Sequence, residues 1–336
     1  MDMRAKNSGL LPAGFEDLLP PDAEAEYDAI ASLMSVFKSF GYERVKPPIA
    51  EFEESLFSSG VGSCIADDTF RVMDPKSRKM LALRSDITAQ IARIATSRLS
   101  DERRPLRLTY ANDVIRTESS QYRTQRQFTQ VGCEIVGVDN VHADIEAAVV
   151  ALKALSVLGL PVVTIDFSYS ALFHALMKIT DAGESEIDVL RSQFAGNPEK
   201  VFDALGAYEF SDEDAAIIAR LKGVVDGVSK AVEELELSEF VNISVDPLET
   251  QGFEYHDGVS FTFFAQGVRG VLGRGGRYKV EGSATESAVG FTFYMDTVRC
   301  GLLTGATEDV VEVGEECSWR EVAVMQAQGK VIKRKL

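Results

Sequence analysis

The sequence is poor in the residues that build metal and disulfide sites. Of its 336 residues four are cysteine, at 64, 133, 300 and 317, and no two stand at CxxC spacing. That argues against a disulfide framework or a zinc knuckle and leaves reduced thiols in a cytoplasmic protein as the simplest reading. The three histidines, His142, His174 and His256, are scattered, so neither a histidine-rich metal site nor any cofactor is expected. No Ser/His/Asp or Cys/His nucleophile set is visible, so no residue is assigned a catalytic role. Positive charge is also scarce: 35 Lys and Arg against 52 Asp and Glu leave a net charge of −17. A surface of that sign repels phosphate backbones and disfavours general nucleic-acid binding, although net charge leaves its distribution open. Long apolar runs are missing as well. Residues 1–9 lack a signal-peptide core. The most apolar helical run, 147–160, is broken by Lys153 and too short to span a bilayer.

What the chain does carry is an ordinary globular share of hydrophobic residues, 45%, enough for a sizeable core in one large domain or two. Residues 1–13 read as a flexible lead-in. Pro20-Pro21-Asp22 marks a helix start with Asp22 as N-cap. Ile30, Leu33, Met34 and Phe37 recur at helical spacing, and Gly41 stops the run. Residues 42–49 are extended, with Pro47-Pro48 keeping them out of a sheet interior. A short strand over 80–83 precedes a helix over 87–97 that Asp86 can cap. Strands over 106–116 and 126–137 flank a polar loop, 117–125, that is long for a hairpin; such loops are often functional. A helix over 139–159 and a strand over 162–167 follow. From about 170 to 240, Ala, Leu, Glu and Asp at helical spacing indicate a helical insertion. Strands return at 241–245, 258–264 and 288–293, before a helix over 295–303. The tail, 304–336, is acidic and ends in a strand-like piece with Lys330, Lys333, Arg334 and Lys335. Short strands with hairpin-like links favour an antiparallel sheet, and helices grouped rather than alternating with strands make the fold α+β.

Several constellations could carry chemistry. In the strand over 126–137, Phe128, Gln130, Gly132, Glu134 and Val136 share one face. An amide and a carboxylate with a glycine between them, leaving room for approach, suit a ligand with an ammonium group; a solvated sheet face is the plainer alternative. Arg116, Arg123 and Arg126 fall within eleven residues and could fork a carboxylate or phosphate, or be ordinary surface charge paired with Glu118. Arg84-Ser85-Asp86 is either an anion or ammonium contact or a plain N-cap. Gly273-Arg274-Gly275-Gly276-Arg277 lets backbone approach a ligand but has no phosphate-loop ending, and a tight turn between strands reads equally well. His256 is flanked by acids; a lone histidine is more often structural.

Taken in order, these segments resemble the catalytic core of histidyl-tRNA synthetase, a class II aminoacyl-tRNA synthetase: GFEDLLP (14–20), GYERVKPPIAE (41–51), LRSDITA (83–89), VIRTESSQYRTQRQFTQVGCEIVG (114–137), QGFEYHDGVSF (251–261), GRGGRY (273–278) and AVGFTFYMDTV (288–298). The resemblance covers roughly 10–303 and implies a class II synthetase-like core over 14–303, an antiparallel sheet flanked by helices, with the insertion at about 170–240. It implies that Asp86 takes the place of a glutamate that contacts the amino group of histidine. Gln130 and Glu134 match residues that hold the amino acid, and Arg116 matches an arginine that grips the α-phosphate of ATP. The departures are as informative. Gln251 stands where the family has its catalytic arginine, Thr297 where a second arginine binds ATP phosphate, Tyr294 where a glycine leaves space for the nucleotide, and His256 where the family has tyrosine. Arginines aimed at developing phosphoryl charge carry much of adenylate chemistry, and losing one costs on the order of 10²–10³ in rate.

This combination is similar to the regulatory subunits of ATP phosphoribosyltransferase, a paralogous family with the synthetase core but no anticodon-binding domain. Only some 33 residues follow position 303, which matches that pattern. The resemblance implies a non-catalytic subunit that partners a short-form ATP phosphoribosyltransferase catalytic subunit in the first step of L-histidine biosynthesis. It also implies self-association as a dimer through the 41–51 region, L-histidine as feedback effector, no tRNA and no membrane. The implied pocket is lined by Asp86, Thr88, Arg116, Gln130, Glu134, Gln251, Tyr255 and His256. Two other readings stay open: an amino-acid-activating enzyme with altered residues, and a synthetase-like module regulating another partner.

Overall fold

The computed structural model describes residues 10–58, 60–119, 124–180, 191, 192, 194, 196–249, 256–282, 285–302 and 310–335. Helix α1 (Asp22–Ser39) buries Ala29, Leu33 and Phe37 along one stripe. Its N-cap is Pro21 rather than Asp22, and no side chain caps it. Asp22 is instead the first helical residue, where its charge faces the positive end of the helix dipole. After Gly41, at φ +82°, the chain runs through β1 (Glu43–Arg44), β2 (Ala50–Phe52), α2 (Glu53–Leu56), α3 (Gly60–Cys64), β3 (Arg71–Met73), β4 (Met80–Leu83) and α4 (Thr88–Ser97). Then come β5 (Leu106–Ile115), β6 (Gln127–Val136), α5 (Val141–Ser156), β7 (Val163–Tyr169) and α6 (Ser170–Thr180). The remaining core elements are α7 (Pro198–Leu205), α8 (Asp212–Glu234), β8 (Val241–Val245), β9 (His256–Ala265), β10 (Gly273–Val280), β11 (Glu286–Tyr294) and α9 (Met295–Gly301).

Eight strands form one sheet in the order β1-β5-β6-β11-β10-β9-β7-β8. The expected antiparallel pairing holds from β5 to β7, but the two outer pairs, β1 with β5 and β7 with β8, are parallel. The α+β class II synthetase-like sheet is therefore present, with mixed edges. Helices α6 to α8 supply the helical insertion. The glycine-rich stretch, left open between a ligand loop and a tight turn, is a strand: β10 pairs with both β9 and β11. The turn lies just before it, where Gly267 and Gly270 have positive φ.

Alternation gives the sheet two unlike faces. Phe167, Phe261, Phe263, Phe291 and Phe293 fill one, each with an edge-on or tilted aromatic neighbour, and Phe37 of α1 meets Phe291 at 5.6 Å. Helices α1 and α5 pack against this sheet. The opposite face carries polar side chains and is covered over β5, β6 and β10 by the segment from α2 to α4, through Leu56, Val61, Ile87 and Ile91.

Arg277, on the face turned to α5, forms a buried ion pair with Asp144 at 2.7 Å. It also donates to the carbonyls of Val138 and Asn140 and to Ser287. Arg220 of α8 grips the other oxygen of Asp144 at 2.9 Å and reaches Asp139 at 2.7 Å. One carboxylate thus ties the insertion to α5 and β10.

The last residues, Leu302–Leu336, form a second unit. In it β12 (Val310–Val313) pairs in parallel with β13 (Val331–Arg334), and α10 (Trp319–Ala327) links them. The sequence reading missed this helix, although Ser318 and Glu321 make a full capping box. Arg334 lies over the Trp319 ring at 4.1 Å. Among the described residues no helix is long and apolar enough to cross a membrane.

Removing one partner of a buried ion pair strands the other charge, at a cost of about 3–5 kcal/mol. Asp144→Ala is expected to lower stability by about that amount, measured by urea unfolding of the full chain.

Candidate functional site

The polar face of the sheet is organised in rows by its register. Gly132 of β6 stands between Tyr110 of β5 and Thr292 of β11, and Thr292 in turn faces Arg274 of β10. In the neighbouring row Glu134 faces Gly290, and Gly290 faces Gly276. Gln130 and Glu134 are on this face, as alternation predicts, and both are buried; the solvated-face alternative falls away.

Glu134 is bonded on all sides by hydroxyls. Its Oε1 accepts from Thr88 Oγ1 at 3.1 Å and from Tyr110 at 3.3 Å, and its Oε2 accepts from Tyr278 at 3.0 Å. Burial pushes its carboxyl up from the ordinary 4.5 to about 8, with the Asp86 charge adding to the rise and the hydroxyls opposing it. At neutral pH it is mostly a neutral acid, able both to donate and to accept.

Gln130 ties the strand to the start of α4. Its amide oxygen accepts from Ile87 N at 3.0 Å, and its nitrogen donates to Asp86 Oδ2 at 2.8 Å. The other oxygen of Asp86 accepts from Thr88 N at 2.8 Å, but the N-cap of α4 is Ile87 and no side chain caps it, so Asp86 braces the residue that opens the helix rather than capping it as expected.

The glycines have specific work here. A Cβ at Gly290 would collide with the Glu134 carboxyl, and one at Gly276 with the His256 ring. The space beside Gly132, read as room for a ligand, is taken by the Tyr110 phenol and the Phe291 carbonyl. His256 lies over Gly276 with Nδ1 shielded from water. Burial first, and the charge of Arg274 second, lower its pKa to about 3, so it is neutral.

The arginines divide. Arg84, a possible anion contact in the sequence, is structural: it donates to the carbonyls of Asp113, Pro47 and Pro48. Arg126 donates to the Arg116 and Ala13 carbonyls and lies over Phe15 and Phe70. Arg116 donates to the Ser85 carbonyl at 3.2 Å and stacks over Phe128 at 5.5 Å. Tyr294 meets the same ring edge-on at 6.0 Å. Thr297 is buried.

Asp86, Thr88, Gln130 and Glu134 thus share one hydrogen-bonded network. Arg116 borders it through Ser85, and His256 borders it over the glycine row. Gln251, Tyr255 and Arg123 lie outside the described residues. The sequence reading missed Tyr110, Tyr278 and Thr292, whose hydroxyls complete the network; Tyr110 and Thr292 are 2.6 Å apart. Tyr278 closes the GRGGRY motif, and its position beside Ala288 in the register is what turns it to Glu134. Among the described residues no three His, Cys, Asp or Glu side chains could hold a metal ion. The arrangement suits reversible binding of a small polar molecule.

The family model for histidyl-tRNA synthetase matches residues 14–238 and 192–298. The chain is 42% identical over 316 positions to the ATP phosphoribosyltransferase regulatory subunit of Rhodospirillum centenum, covering 88% of this chain and 81% of that one. It is 39% identical over 358 positions to the regulatory subunit of Rhodospirillum rubrum, covering 98% and 92%. In fold it is similar to an ATP phosphoribosyltransferase regulatory subunit/histidyl-tRNA synthetase from Bacillus halodurans, with TM-score 0.79, 21% identity and coverage of 97% and 92%. It is also similar to histidyl-tRNA synthetase from Nostoc, with TM-score 0.76, 16% identity and coverage of 98% and 85%.

Because the carboxyl of Glu134 is raised in the fold, the folded chain binds more protons than the unfolded one between 4.5 and about 8. Stability contributed by the neutral form is therefore lost as pH rises through that window. His256 acts oppositely, but only below its ordinary 6.5. From pH 6.5 to 8, chemical denaturation should show a loss on the order of 2 kcal/mol, and Glu134→Gln should flatten it.

Proposed function

Since the chain belongs to the family of ATP phosphoribosyltransferase regulatory subunits, we propose that it senses free L-histidine in the pocket built on Gln130 and Glu134. It is a regulatory subunit and not a synthetase. The effector signal goes to a separate, short-form catalytic phosphoribosyltransferase, which needs this subunit for activity in the first step of L-histidine biosynthesis. Both act in the cytoplasm, without tRNA.

The observation that carries the reading is Glu134, a fully enclosed carboxyl ringed by three hydroxyls beside the Asp86–Gln130 pair. Asp86 and Gln130 offer a charged and a neutral acceptor to an ammonium group. A neutral Glu134 can donate to, or accept from, an imidazole edge. Thr88, Arg116 and His256 complete the wall, with Gln251 and Tyr255 on the segment preceding β9. Hydroxyls that now satisfy Glu134 exchange partners when the ligand enters, so little buried polarity is left unpaired.

Feedback then follows from linkage. Histidine changes activity only if it binds one state of the complex more tightly than the other, and the catalytic subunit's state must change histidine affinity by the same factor. A second copy of the chain docks through the 41–51 region, where Tyr42 and Arg44 line a groove together with Met34 and Lys38.

Titration calorimetry on the assembled complex tests the pocket. Histidine should bind, and Glu134→Ala should abolish both binding and feedback while leaving the complex assembled. Feedback that survives Glu134→Ala contradicts the assignment. Histidine-dependent ATP–pyrophosphate exchange by the isolated chain would show a working synthetase instead.

A further inference from the structure

Most guanidinium groups around the pocket are directed to the fold. Arg84 and Arg126 serve backbone carbonyls, Arg277 serves Asp144 on the far face, and Arg116 turns to the Ser85 carbonyl over Phe128. Arg274 also has a partner within the protein, and it differs from these in where it starts. It rises from β10 on the ligand side of the sheet, with Thr262 on one flank and Thr292 on the other. Its row continues through Thr292 to Gly132 and Tyr110, the phenol that contacts Glu134.

Two strand spacings, about 10 Å, separate the backbones of β10 and β6, and an arginine side chain can cross the strand between them. Nearby, the bare backbones of Gly276 and Gly290 let the His256 ring and the Glu134 carboxyl lie low on the sheet. Arg274 leaves the same face of β10 as Gly276, two residues away, so its side chain starts on the pocket side of that glycine floor. The segment before β9, where the synthetase resemblance expects an arginine, carries Gln251 instead.

We propose that Arg274 selects ligands that carry a carboxylate, its guanidinium gripping the carboxylate of an amino acid whose ammonium group is held by Asp86 and Gln130. The assignment rests on the pocket being an amino-acid site. A planar fork of donors on a rigid strand suits two-point capture of a carboxylate. Lysine, a point charge, replaces it only in part. It makes Arg274 a specificity residue, distinct from Glu134, which reads the ring.

The test compares L-histidine with histamine, which keeps the amine and the imidazole but lacks the carboxylate. Calorimetry on the full chain should show histidine bound about tenfold to a hundredfold more tightly. Arg274→Gln should lose that factor for histidine yet bind histamine within about threefold of the parent, and Arg274→Lys should recover part of the loss. An arginine that only supports the fold would weaken both ligands equally, and that result overturns the proposal. So does equal affinity of the parent chain for the two ligands, a comparison that needs no variant to fold. If the parent chain binds neither ligand, the amino-acid pocket itself is wrong, and the role of Arg274 falls with it.

Discussion

The site depends on keeping one carboxyl group out of water with no cation bonded to it among the described residues. Glu134 is buried at the middle of the sheet, and its partners are hydroxyls rather than arginine or lysine. Desolvation therefore holds it neutral near pH 7. Much of the surrounding architecture serves that arrangement. Gly290 is bare so that the carboxyl can lie against β11, and Gly132 is bare so that Tyr110 can reach it. Thr88 arrives on the first turn of α4, whose start Asp86 and Gln130 hold through Thr88 N and Ile87 N. Tyr278 arrives on β10, and the residue before it, Arg277, is tied through Asp144 to α5 and the insertion.

The proposed sensing role requires a pocket that holds its ligand and leaves it unchanged, and the remaining side chains are compatible with that division. Of the groups that resemble amino-acid contacts, Asp86, Gln130 and Glu134 are oriented by one hydrogen-bonded network through Thr88. Those that would meet a nucleotide are diverted: Arg116 toward a backbone carbonyl, Tyr294 against the Phe128 ring, and Thr297 in the buried face of α9. Binding energy in such a pocket acts on an equilibrium between states rather than on a transition state.

Much of this was legible in the sequence, for identifiable reasons. Period-two alternation put Gln130 and Glu134 on one face, and the strands on either side have the expected direction from β5 to β7. Asp86 before an apolar helical run marked the start of α4 to within two residues, although Ile87 takes the N-cap position. Long-range pairings were not legible: nothing local links Arg277 to Asp144, or Tyr278 to Glu134, across more than a hundred residues. The glycines misled for the same reason. The gap at Gly132 is real, but only the register shows that Tyr110 fills it. The GRGGRY stretch has the composition of a turn because flat backbone is needed under Glu134 and His256, and pairing on both sides holds it extended. The parallel outer pairs and α10 were missed because edge pairing and a short polar helix leave little hydrophobic pattern.

The most direct measurement follows the Glu134 side-chain carboxyl by ¹³C NMR in the assembled complex, through a pH titration with and without L-histidine. The account predicts a carboxyl that titrates near 8 in the free complex and whose resonance and midpoint both move when histidine binds. A Glu134 signal that stays fixed while histidine still inhibits would place the effector elsewhere and contradict the account.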